Sequence, residues 1–140
     1  MAHKLMVLCV DDRSDCLLVR KLMLEQFGCE VVGVDDARSC LERLAFANFD
    51  LALIDYHLGC GTNGEELARA IRASRPNLPV IMLTGDPDVP ESVRTTVDAL
   101  LFKGVSSPTE LLDRIEELVP GANLRKPPGS VSPRNRRKAS

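Results

Sequence analysis

The chain has no tryptophan, one tyrosine and four phenylalanines, so aromatic residues make up 4% of it. Platforms on which nucleic-acid bases could stack are therefore scarce. It also lacks a long apolar run. The first run, Leu5 to Val10, is six residues long and stops at Asp11-Asp12. That is too short for a membrane span of about 18 residues, and its flanks are wrong for a secretory leader. The five cysteines (Cys9, Cys16, Cys29, Cys40, Cys60) are odd in number and contain no CxxC pair. Neither a disulfide framework nor a zinc site can be read from them, and a reduced cytoplasmic protein is expected.

Acid is missing from one place only. Residues 120–140 carry six bases (Arg125, Lys126, Arg134, Arg136, Arg137, Lys138) and no acid. The remaining 12 bases face 20 acids in residues 1–119, a net charge of −8. An acidic body does not attract the phosphate backbone, so nucleic acid is not an expected partner. At 140 residues, with 44% hydrophobic and 27% charged, the composition fits one globular domain. We expect it to span 1–119, followed by a basic Pro- and Ser-rich tail, 120–140, with too little to bury to stay ordered.

Within 1–119, short apolar runs alternate with stretches of helical spacing. The runs are Leu5–Val10, Glu30–Val34, Leu51–Ile54, Val80–Leu83 and Leu100–Phe102. Three are continuously apolar, the pattern of strands covered on both faces. Between them, Leu17, Leu18, Lys21, Leu22 and Leu24 to Phe27 predict a helix stopped by Gly28. Asp35 or Asp36 caps a second helix through Cys40, Leu41 and Leu44. Leu67, Ala68 and Ile71 mark a third, and a short fourth opens at Asp88 to Glu91 and runs to about Val97. Ser107-Pro-Thr-Glu110 is a capping box with proline at the first helical position, ahead of Leu111, Leu112, Ile115, Leu118 and Val119. Five βα units with right-handed crossovers predict an α/β fold, a parallel sheet with helices on both faces.

In such sheets functional groups gather at the carboxyl ends of the strands. There the sequence places Asp11-Asp12, Asp55, Thr84-Gly85 and Lys103. Clustered carboxylates repel, and a hard divalent ion with oxygen ligands and retained waters, Mg2+, relieves them. Lys103 and the Thr84 hydroxyl then suit phosphoryl oxygens, and Asp55 is the candidate nucleophile for an aspartyl phosphate. Gly85 is read as leaving an approach open. Arg13 is the nearest base to the acidic pair, and His57 and Asp86 flank the expected site.

These residues carry a resemblance. Val7–Asp12, Leu53-Ile-Asp55-Tyr-His-Leu58, Ile81–Gly85 and Leu101-Phe-Lys103 are similar to the landmarks of bacterial response regulator receiver domains, of the single-domain chemotaxis kind. The resemblance implies a flavodoxin-like doubly wound (βα)5 fold with strand order 2-1-3-4-5. It further implies phosphoryl transfer from a histidine kinase or histidine phosphotransfer protein onto Asp55. Mg2+ would be held by Asp11, Asp12, Asp55 and the main-chain carbonyl of His57, with Thr84 and Lys103 attending the phosphate. Output would then run through protein contacts or phosphorelay, with a homodimer left open. The chain departs from the family pattern at Gly59 and Gly104, where proline is common, and at Leu100, where an aromatic is usual. The loop Cys60–Asn63 is longer and the stretch from Thr84 to Lys103 shorter than usual. Because of these departures a phosphorylation-independent interaction module is the alternative expectation. A DxDx[TV] phosphatase motif and a flavin phosphate loop are both missing after the first run.

Overall fold

The computed structural model describes residues 4–59, 61–104 and 107–124. The expected tail from residue 125 onward, and Cys60, lie outside them. Five strands and five helices alternate: β1 (Leu5–Val10), α1 (Ser14–Gln26), β2 (Cys29–Val34), α2 (Ala37–Phe46), β3 (Leu51–Asp55), α3 (Gly64–Ser74), β4 (Val80–Thr84), α4 (Glu91–Thr96), β5 (Ala99–Phe102) and α5 (Pro108–Leu118). All strand pairs are parallel, in the order β2-β1-β3-β4-β5. The flavodoxin-like architecture read from the sequence is the one found.

Alternation along the strands separates two cores. On one face Leu5, Val7, Cys9 and Leu53 pack with Leu24 of α1 and with Leu111, Leu112 and Ile115 of α5. On the other, Leu8, Val10, Ile54 and Met82 pack with Cys40 and Leu44 of α2, Leu67, Ala68 and Ile71 of α3, and Val93 of α4. Every residue of β3 and β4 is buried, which is why those runs read as continuously apolar. Burying side chains of this size stabilises by roughly 1.5–3 kcal/mol each.

Caps fix several helix starts. Asp36 accepts the Ser39 N–H at 2.7 Å, Asn63 accepts that of Glu66 at 2.9 Å, and Ser107 accepts that of Glu110 at 3.2 Å. The fourth helix starts at Glu91, inside the expected Asp88–Glu91 opening, after the Asp86 carboxylate turns the chain by accepting the Asp88 N–H at 2.9 Å. The inward stripe of α1 also differs from the expected one. Leu17, Met23, Leu24 and Phe27 face the sheet, whereas Leu18 and Leu22 are 56% and 57% exposed. Packing continues past Val119, since Leu124 is buried in the first core and its N–H reaches the Glu116 carboxylate at 3.2 Å. Among the described residues no helix is long and apolar enough to cross a membrane.

Candidate functional site

Strand register brings the site together. Val10 lies beside Ile54, Asp55 beside Leu83, and Thr84 beside Phe102. Asp11, Asp55, Thr84 and Lys103 therefore leave the sheet at one level, although the sequence spreads them over more than ninety positions. Their backbones are tied as well: Asp11 N–H donates to Val34, Tyr56 N–H to Leu83 and Lys103 N–H to Thr84, at 3.2, 2.9 and 2.8 Å.

Carboxylate oxygens of Asp11, Asp12 and Asp55 all lie within 4.8 Å of one another. Asp11 and Asp55 are buried and Asp12 is exposed, so the cluster has a closed floor and one open side. Among the described residues two cations hold it. Lys103 Nζ sits 3.2 Å from Asp55 Oδ1 and 3.7 Å from Asp11 Oδ2. Arg20 Nη1 donates to Asp11 Oδ2 at 2.9 Å, and the Arg13 main-chain N–H donates to Asp11 Oδ1 at 3.0 Å. Burial holds the Asp55 carboxyl above its ordinary range, with Lys103 pulling the other way. Burial also pushes the neighbouring Cys9 thiol up to about 11, which leaves it an inert core group.

An oxygen-only donor set with an open side, where burial makes the Asp55 charge costlier than in water, fits a hard divalent cation that keeps part of its water shell. Asp11, Asp12 and Asp55 are the side chains that could hold one.

The remaining expected residues fall into place unevenly. Thr84 is buried at the end of β4, and its hydroxyl accepts the Asp86 N–H at 3.0 Å. His57 is exposed on the loop after β3, its Nε2 3.9 Å from Asp86 Oδ2 and its ring edge-on to Tyr56. The Arg13 guanidinium does not offset the acidic pair. It turns outward to Asp15 at 3.2 Å, and Arg20 performs that task instead. A Cβ at Gly85 would meet nothing of the protein within 4 Å, in keeping with an open approach.

Arg20 and Gly64 were missed in the sequence. Arg20 occupies a sheet-facing turn of α1 between Leu17 and Leu24, and a cation inside an apolar stripe was the available signal. Gly64 begins α3 against the backbone beneath the site: a Cβ there would lie 2.5 Å from the Asp55 carbonyl oxygen. Its N–H donates to the Tyr56 carbonyl at 2.6 Å. Two of the departures from the family pattern share one cause. Gly59 and Gly104 have φ of +67° and +79°, a region closed to proline.

Known proteins resemble this chain in sequence and in fold. The family model described as response regulator receiver domain matches residues 7–116. The sensor protein GacS of Pseudomonas syringae is 32% identical over 108 residues, covering 71% of this chain but 12% of that protein. The sensor kinase/phosphatase CqsS of Vibrio cholerae is 36% identical over 87 residues, again 12% of its length. This chain thus corresponds to a small part of each of those proteins. Among solved structures, a CheY-like receiver domain from Methanospirillum hungatei superposes with a TM-score of 0.74 at 30% identity, covering 82% of this chain and 93% of that one. The response regulator TrrA of Thermotoga maritima, solved in complex with Mg2+ and BeF, gives 0.76 at 23% identity, covering 82% and 99%.

Proposed function

The chain belongs to the response regulator receiver family, and on that premise we propose that it is a phosphoacceptor switch of two-component signalling, phosphorylated on Asp55 with Mg2+ as cofactor. The observation that carries the reading is the meeting of Lys103 Nζ with Asp55 Oδ1 at 3.2 Å beside a three-carboxylate cluster.

Phosphoryl transfer needs in-line positioning and neutralised charge more than covalent chemistry. A carboxylate oxygen of Asp55 attacks the phosphorus of a phosphohistidine. The P–N bond breaks, its electron pair returns to the imidazole nitrogen, and an acyl phosphate forms. Lys103 already stands beside the attacking oxygen and pairs with the arriving phosphoryl oxygens. Thr84, at the adjacent strand end, turns its hydroxyl proton from the Asp86 carbonyl, 3.4 Å away, to a phosphoryl oxygen. A bound Mg2+ supplies further neutralisation of the transferred group. Asp11, Asp12, Asp55 and the main-chain carbonyl of His57 are the groups to hold it.

On this reading the chain catalyses only its own phosphorylation and dephosphorylation and is not an enzyme toward a separate substrate. Its donor is a histidine kinase or histidine phosphotransfer protein, as the kinase relatives support, and it works in the cytoplasm through protein contacts or relay. The test is incubation with acetyl phosphate and Mg2+, read by intact mass. One phosphoryl group is expected on the native chain, and none without Mg2+ or in Asp55→Asn. Persistence of the adduct in Asp55→Asn overturns the assignment.

A further inference from the structure

Helix α1 rests on the sheet through Leu17 and Leu24, three residues before and four after Arg20. This spacing puts Arg20 on the same inward stripe. Its side chain is 11% exposed, and a charge so placed is costly unless paired. Its partner is Asp11 Oδ2 at 2.9 Å, with Cys9 Sγ 4.0 Å from the same nitrogen. Asp11 Oδ1 accepts the Arg13 N–H at 3.0 Å. Both Asp11 oxygens are therefore engaged by the protein itself.

The two cations of the cluster differ in freedom. Lys103 immediately precedes the positive-φ Gly104, keeps 30% of its side chain exposed and bridges Asp11 and Asp55, so it can move to a new anion. Arg20 is clamped under a helix of 13 residues and touches no carboxylate other than Asp11 among the ion pairs of the described residues. We infer that Arg20 is a resident counter-cation of the acidic cluster, which secures Asp11 when no metal is bound and competes with the divalent ion for it, lowering the affinity of the site for Mg2+. The inference rests on the reading of the cluster as a Mg2+ site. Its physical basis is that a monovalent charge fixed beside one ligand carboxylate both neutralises that ligand and repels an incoming cation, and a buried pair is little screened by salt. The switch would then be set to load only when Mg2+ is abundant.

Calorimetric titration with MgCl2, without any phosphodonor, tests this alongside melting curves. Arg20→Met is expected to bind Mg2+ about tenfold more tightly than the native chain, as loss of one close unscreened charge implies. Its metal-free melting temperature should fall, and its gain on adding Mg2+ should exceed the native gain. Arg20→Lys, which keeps the charge, should restore the weaker affinity. Should Arg20→Met not fold without metal, Arg20→Gln, which can still donate to Asp11, replaces it in the same comparison. Equal or weaker Mg2+ binding in the neutral variant overturns the role of Arg20. No Mg2+ response in any of the chains overturns the metal site itself.

Discussion

The two ends of the sheet use aspartate in opposite ways. At the amino end, Asp50 and Asp98 each stand one residue before a strand, β3 and β5. Asp50 Oδ2 accepts the Met6 N–H at 2.8 Å while its own N–H donates to the Met6 carbonyl at 2.8 Å. Asp98 repeats the device, accepting from Val80 N–H at 2.8 Å and donating to the Val80 carbonyl at 2.9 Å. Each fastens a neighbouring strand, and Arg72 completes Asp98 at 2.9 Å. At the carboxyl end, Asp11 and Asp55 follow or finish β1 and β3 and lie together with Asp12. There the acids are held by side-chain cations more than by strand amides. The contrast teaches that an acid before a strand meets an unpaired N–H and becomes a fastener. The same residue after a strand is left with charge to dispose of, which is what a phosphoryl site requires.

The contrast can be sharpened by substitution. The largest expected effect is Gly64→Ala, whose Cβ would sit 2.5 Å from the Asp55 carbonyl oxygen and 2.8 Å from Tyr56 Cα. Forcing backbone apart at so tight a point should cost about 3 kcal/mol in denaturant unfolding and also displace the acceptor. Next comes Asp50→Ala, which leaves the Met6 N–H without its acceptor. A loss of about 1–2 kcal/mol is expected, measured the same way.

Asp55→Asn should move in the opposite direction. Because burial raises the Asp55 carboxyl in the folded chain, the folded state holds its proton more tightly than the unfolded state does. The cost of ionising it is absent below the ordinary aspartate range, near pH 4, and grows as pH rises through the raised value. The variant should therefore melt above the native chain at pH 7 without metal, with the gain vanishing in acid. Melting below the native chain at pH 7 would break the contrast between the ends. The smallest effect is Asp12→Asn at the exposed edge, expected to raise the metal-free melting temperature by about 2 °C and to shrink the gain on adding Mg2+.

Much of this was legible because position along a strand is legible. Apolar runs of four to six residues mark β1, β3 and β4, and the polar residue that ends each one, Asp11, Asp55 and Thr84, falls at the carboxyl edge by the direction of the chain alone. Lys103 became meaningful for the same reason. What stayed hidden depends on side-chain direction within helices and on backbone proximity. Leu18 and Leu22 read as part of the apolar helix with Leu17 and Leu24 yet are exposed, and the inward position between Leu17 and Leu24 belongs to Arg20. Gly64 reads as an ordinary helix start, since nothing in its neighbours tells that Asp55 and Tyr56 pass beneath it. Gly59 and Gly104 read as losses of proline, whereas both are turns that proline cannot make.

The scarcity of aromatic residues has a practical side. Tyr56 is the single tyrosine, there is no tryptophan, and it directly follows Asp55. Its ring meets the His57 imidazole edge-on at 4.9 Å between centroids. Emission excited beyond the phenylalanine band therefore originates next to Asp55, and on the proposed reading occupancy by metal or phosphoryl group would be readable optically, with no dye attached and no residue replaced.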